Sequence, residues 1–171
     1  VDVPAEVDGV TISGIQEGAF SQCFLLESLT LPDTITTIQD SAFYGCSVLK
    51  KLEIPDSVTS MGKGTMEACI ALTDVKLPST LNTLPTSTFY GCTALETVSF
   101  PEAMNTIGSE AFYQCTALKD VDLSQIATIE TYAFEGCSAL TDITIPETCT
   151  TLGDFVFDGC SALKEIQVAD S

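Results

Sequence analysis

The eight cysteines are the side chains of this sequence best able to do chemistry, and their spacing narrows what that chemistry can be. Cys23, Cys46, Cys69, Cys92 and Cys115 are each 23 residues apart, Cys137 follows after 22 and Cys160 after 23; only Cys149 is out of step. Zinc and disulfide motifs place cysteines at short spacings on converging loops. A long regular period instead lines the thiols up side by side, all pointing the same way, which is poor geometry for a disulfide. The spacing predicts a column of buried free thiols that pack as small hydrophobes. Cys149 fits this reading, because it takes an apolar position held elsewhere by Ile35, Val58, Leu81 and Met104. No metal and no cofactor is expected.

Other chemistries fail for want of parts. The chain has no His, no Arg and no Trp. Ser and Thr are plentiful, but no imidazole exists to activate them. Gly-rich phosphate loops are absent. Carboxylates could form a glycosidase pair, yet repeats of nearly constant length leave no insertion to build a cleft. The sequence is therefore expected not to be an enzyme. Its net charge of −18 repels nucleic acid and anionic lipid surfaces alike, and no apolar run is long enough to insert in a membrane. The start at Val1, with no leader pattern, reads as a trimmed or processed N-terminus.

The elements that position these residues follow from the repeat. Three residues before each periodic cysteine stand Phe20, Phe43, Met66, Phe89, Phe112, Phe134 and Phe157. Three after stand Leu26, Leu49, Leu72, Leu95, Leu118, Leu140 and Leu163. Further apolar columns follow at six and eight residues, then Pro at nine in most repeats, with Ser124 and Ala169 as departures. A period of 23 falls within the leucine-rich range of roughly 20–29 residues. The expected fold is a leucine-rich-repeat solenoid. Within L-x-x-[LV]-x-[LIVF]-P the apolar positions alternate as in a strand, and Pro ends it. Such strands would stack in parallel on one side. The A-F-x-G-C segment, as in Ala42 to Cys46, predicts a tight helical or 3-10 turn, or a short extended segment, on the other. Residues 1–18 depart from the period and read as a hairpin about Asp8-Gly9 that covers the first coil. Residues 19–171 make about seven coils. No covering device follows Val168: either the natural protein continues, or the last coil is an edge open to self-association.

Strand residues that alternate with the core form two exposed columns. One is Ser28, Lys51, Asp74, Thr97, Asp120, Asp142 and Glu165; the other is Thr30, Glu53, Lys76, Ser99, Asp122, Thr144 and Gln167. Early charges offset, with Lys51 beside Asp74 and Glu53 beside Lys76. In the later coils Asp120, Asp142 and Glu165 line up as like charges with Asp122 alongside, an arrangement that destabilises a sheet. The run reads either as the solvated face of an acidic protein or as a site for a basic segment or a loosely held cation such as calcium. Tyr44, Tyr90 and Tyr113 each follow a core Phe and read as half-buried packing or as contact residues. Phe155 stands where most repeats carry a small residue and reads as an exposed contact or a cover for the last coil.

The string I-x-x-x-A-F-x-G-C-x-x-L-x-x-[VI]-x-[LI]-P-x-x-[VIL]-T-x-[IL], present from Ile38 to Leu77 and again from Ile107 and Ile129, closely resembles the BspA-like leucine-rich repeat. The resemblance covers nearly the whole chain; Met66, Ala68 and Ser124 depart from it. It implies a curved solenoid within a longer secreted or surface-attached microbial protein. Characterised relatives adhere to host matrix proteins or to other cells, and no family-wide catalytic residue exists to transfer. The resemblance thus points to an extracellular module for a protein or glycan partner. A structural spacer, an end-to-end assembling solenoid, or an accessory domain of a larger secreted enzyme remain the alternatives. Free thiols by themselves suggest a reducing interior; the resemblance points outside the cell.

Overall fold

The computed structural model describes residues 1–169. The chain winds into about seven coils, each with two short extended segments and a run of tight turns. The first ladder, hydrogen-bonded in three parallel stretches, contains Ser28–Leu29 with Lys51–Glu53 and Asp74–Lys76, Thr97–Val98 with Asp120–Val121, and Asp142–Ile145 with Glu165–Val168. The second, in two parallel stretches, contains Gly14–Ile15 with Thr37–Ile38 and Ser60–Met61, and Thr83–Leu84 with Thr106–Ile107, Thr128–Ile129 and Thr151–Leu152. Register follows the sequence period: Lys51 pairs with Asp74, Leu52 with Val75 and Glu53 with Lys76, and Thr106 pairs with Thr83 on one side and Thr128 on the other.

The third side contains no helix among the described residues, which corrects the expectation of a helical or 3-10 turn. Two positions four residues apart in each coil take a positive φ, such as Ser41 (54°) with Gly45 (68°) and Ser87 (54°) with Gly91 (68°). Left-handed residues break a right-handed helix. Here they let alternate N–H groups turn to the next coil. The amides of Ser41, Phe43 and Gly45 donate to the carbonyls of Lys63, Thr65 and Glu67 at 2.8, 2.9 and 2.8 Å. The amides between them close turns, as Tyr44 to Ser41 at 3.0 Å and Cys46 to Phe43 at 3.2 Å. All three sides of the coil therefore carry hydrogen bonds to neighbouring coils.

That interior is filled by the predicted columns. Phe43, Phe89, Phe112 and Phe134 are fully buried, and their rings stack from coil to coil: Phe89 on Phe112 at 5.3 Å and Phe112 on Phe134 at 5.1 Å. All eight cysteines are free. Each of six donates its thiol to the carbonyl of the Phe or Met of the preceding coil, Cys69 to Phe43 at 3.2 Å and Cys115 to Phe89 at 3.1 Å among them. The two buried threonines, Thr65 and Thr88, bond the carbonyls of Gly62 and Pro85. At the start of the chain Glu6–Val7 and Val10–Thr11 pair antiparallel about Asp8 and Gly9, both with positive φ, as a tight hairpin requires. Residues before it run beside the first ladder, where Val3 N–H donates to the Thr30 carbonyl at 3.0 Å.

Candidate binding faces

The first ladder turns its polar columns outward, and Pro turns the chain at one edge of this face. Two troughs follow that edge. The first, about 610 Å³, is lined by Lys51, Glu53, Asp56 and Lys76 with Ser28, Thr30 and residues near them. Its charges are matched. Lys51 bridges Glu53 at 2.9 Å and Asp74 at 3.2 Å. Glu53 lies opposite Lys76 in register, but Lys76 reaches Asp56 instead, at 3.9 Å. The expected Glu53–Lys76 offset is thus replaced by a Lys51–Glu53 and a Lys76–Asp56 pair. These side chains are more than half exposed, so such pairs contribute only about 0–1 kcal/mol each.

The second trough, about 640 Å³, is lined by Asp120, Asp122, Asp142, Thr144 and Glu147 and has no lysine among its lining residues. Asp142 sits opposite Glu165 in the ladder. Lys119, the cation nearest in sequence, is bound to Glu96 at 2.8 Å. Thr97 and Ser99 stand exposed between the two troughs. Where other repeats have Pro, Ser124 offers an N–H, and Asp122 Oδ1 accepts it at 2.9 Å. Backbone and then side-chain hydrogen bonds from Ser124 hold the Asp122 carboxyl below its ordinary value. Proline has no N–H to give, so this departure from the repeat has a structural consequence. No group of three or more Asp, Glu, Cys or His side chains among the described residues is arranged to hold a metal ion.

The turn side carries the aromatic residues. Tyr90 and Tyr113 stack at 4.6 Å and 12°. Tyr44 is half-buried two coils away in the same column, with Glu67 standing between it and Tyr90. Phe155 is 61% exposed and stacks on Tyr132 at 5.4 Å. Tyr132, Glu110 and Glu135 escaped the sequence reading. Their columns vary from repeat to repeat, and only the Phe155 position, one coil on from Tyr132, hinted at an aromatic pair. With Tyr90 and Tyr113 these three line a notch of about 380 Å³. The nearby charge of Glu135, then burial, pushes the Tyr113 phenol above its ordinary value. Burial, then the charge of Glu110, does the same to the Glu67 carboxyl.

Residues 13–140 and 127–171 match the family described as BspA type leucine rich repeat region, in six copies. No curated protein sequence matches the chain. Among solved structures, a leucine-rich repeat protein of T. pallidum is similar at 29% identity and TM-score 0.89, over 96% of this chain and 78% of that one. A leucine-rich repeat protein of Eubacterium ventriosum is similar at 30% identity and TM-score 0.82, over 96% and 43%. One from Bacteroides ovatus is similar at 26% and 0.80, over 98% and 48%. The chain thus spans less than half the length of the last two.

Proposed function

Because this chain belongs to the BspA-type leucine-rich repeat family, we propose that it is a non-enzymatic binding module that works outside the cell and engages a protein or glycan along its exposed strand face. The reading is carried by the acidic trough at Asp120, Asp122, Asp142 and Glu147, whose lining includes no cation. Like charges held in line weaken a sheet, and a basic partner segment would relieve that cost on binding. The matched charges of Lys51, Glu53, Asp74 and Lys76 give the same face a second, polar half for hydrogen bonding. The resemblance of the repeat to surface-attached microbial proteins supports the extracellular setting.

Surface plasmon resonance against extracellular-matrix proteins and a glycan array tests this directly. Binding is expected to at least one member, weakened by added salt and by the double substitution Asp120→Asn/Asp142→Asn. Binding unchanged in that variant and in Lys51→Ala/Lys76→Ala would put the contact off this face and overturn the reading.

A further inference from the structure

Two aromatic stacks on the turn side end at the same boundary between coils. In one column Tyr90 covers one face of Tyr113 at 4.6 Å, and the next coil supplies Glu135 instead of another ring. In the adjacent column Phe155 covers one face of Tyr132 at 5.4 Å, and the preceding coil supplies Glu110. The coil of Phe112 thus carries Glu110 and Tyr113, and the coil of Phe134 carries Tyr132 and Glu135. Around the notch the tyrosines occupy one diagonal and the carboxylates the other. Each tyrosine keeps one face that no ring of its own stack covers.

From this we infer that the notch at Tyr113, Tyr132, Glu110 and Glu135 is a capture site for a basic side chain, lysine or arginine, of a partner protein. A cation is attracted to an aromatic face and to carboxylates together, and this notch offers both within about 380 Å³. No lysine lines it, and the ion pairs among the described residues use Lys51, Lys76 and Lys119, none with Glu110 or Glu135. Glu110 is steadied by the Ser87 hydroxyl, which donates to it at 3.1 Å, so the carboxylate is held in position before a ligand arrives. The negative charge of both glutamates reaches the Tyr113 hydroxyl and raises its pKa, as expected of a site short of a cation. A sugar ring would also stack on tyrosine, but it would gain nothing from two uncompensated charges. This site lies on the turn side and is independent of the strand-face proposal above.

The chain has no tryptophan and four tyrosines, three of which line the notch, so its fluorescence reports mainly on this region. Titration with tetralysine and tetraarginine should change that fluorescence and saturate; tetraglutamate and a neutral chitooligosaccharide should leave it unchanged. Glu110→Gln/Glu135→Gln should weaken tetralysine about tenfold or more, and Tyr113→Ala about fivefold, the scale of a cation–aromatic contact. The charge-matched Glu27→Gln/Glu102→Gln, at two exposed residues that line neither the acidic trough nor the notch, should bind tetralysine as the parent does. Equal loss in the two charge-matched variants would reduce the effect to net charge and overturn the proposal, as would a response to the neutral sugar equal to that of the basic peptides. Thermal melts of each variant separate lost binding from lost folding, and Tyr113→Phe, which keeps the ring, should bind within about twofold of the parent.

Discussion

The Cys92 thiol donates to the carbonyl oxygen of Met66, 3.1 Å away in the preceding coil. The same bond recurs from Cys46 to Phe20, Cys137 to Phe112 and Cys160 to Phe134. The cysteine is thus small enough to pack between coils and polar enough to serve a carbonyl there. Burial pushes the Cys92 thiol from 9.0 up to about 12, and Cys160 up to about 11. A thiol whose pKa is higher folded than unfolded adds stability that is complete below the unfolded value. That stability fades as pH rises from about 9 through the folded value. Urea midpoints at pH 8, 10 and 11 should therefore fall more steeply for the parent than for Cys92→Ala. Parallel curves would show that the thiol ionises freely in the fold.

Phe112 lies between Phe89 and Phe134, with Phe100 tilted against it at 6.0 Å. Removing its ring opens a cavity in the middle of the stack, so Phe112→Ala should cost about 3–5 kcal/mol in chemical denaturation. Met66 occupies the same column in another coil and is fully buried. Phe112→Met should therefore cost less than about 1.5 kcal/mol. Similar losses for both would mean that volume is not what the column supplies.

Gly108 has no space for a side chain: a Cβ there would lie 2.7 Å from the Leu84 carbonyl oxygen and 2.8 Å from the Thr86 nitrogen. The obstacle is backbone of the neighbouring coil, which cannot swing aside. Gly108→Ala should lower stability by about 2 kcal/mol, read as a drop in melting temperature. Gln114, at φ 57°, is the opposite case. Glycine there relieves left-handed strain of roughly 1–2 kcal/mol and loosens the unfolded chain by about 0.4–1 kcal/mol, so Gln114→Gly should be neutral to slightly stabilising.

Ser124→Pro would restore the repeat and remove the N–H that Asp122 accepts. The Asp122 carboxyl now sits below its ordinary 3.8. Its contribution to stability is complete above that value and fades as pH falls through the lower folded one. In Ser124→Pro the Asp122 pKa, followed by NMR, should move up toward 3.8, and stability should become less sensitive to acid over that interval. An unmoved Asp122 would show that its environment is set by something other than the Ser124 amide.

The period of Cys, Phe, Leu and Pro was enough to identify a stacked solenoid, its core columns and its outward strand columns. A repeated spacing forces like residues onto like positions, and apolar positions two apart must share a face. The free state of the thiols was legible for the same reason. The form of the turn side was not. Ala42 to Cys46 has the composition of a short helical turn, yet the left-handed positions at Ser41 and Gly45 are favoured only because a neighbouring coil accepts the N–H groups they release. Likewise Lys76 could not be assigned to Asp56 from ladder register, since Asp56 lies past the strand, on the turn that follows Pro55. The notch of Glu110, Tyr113, Tyr132 and Glu135 joins two columns at one boundary between coils. Only the lateral packing of those columns, absent from any linear period, brings the two diagonals together.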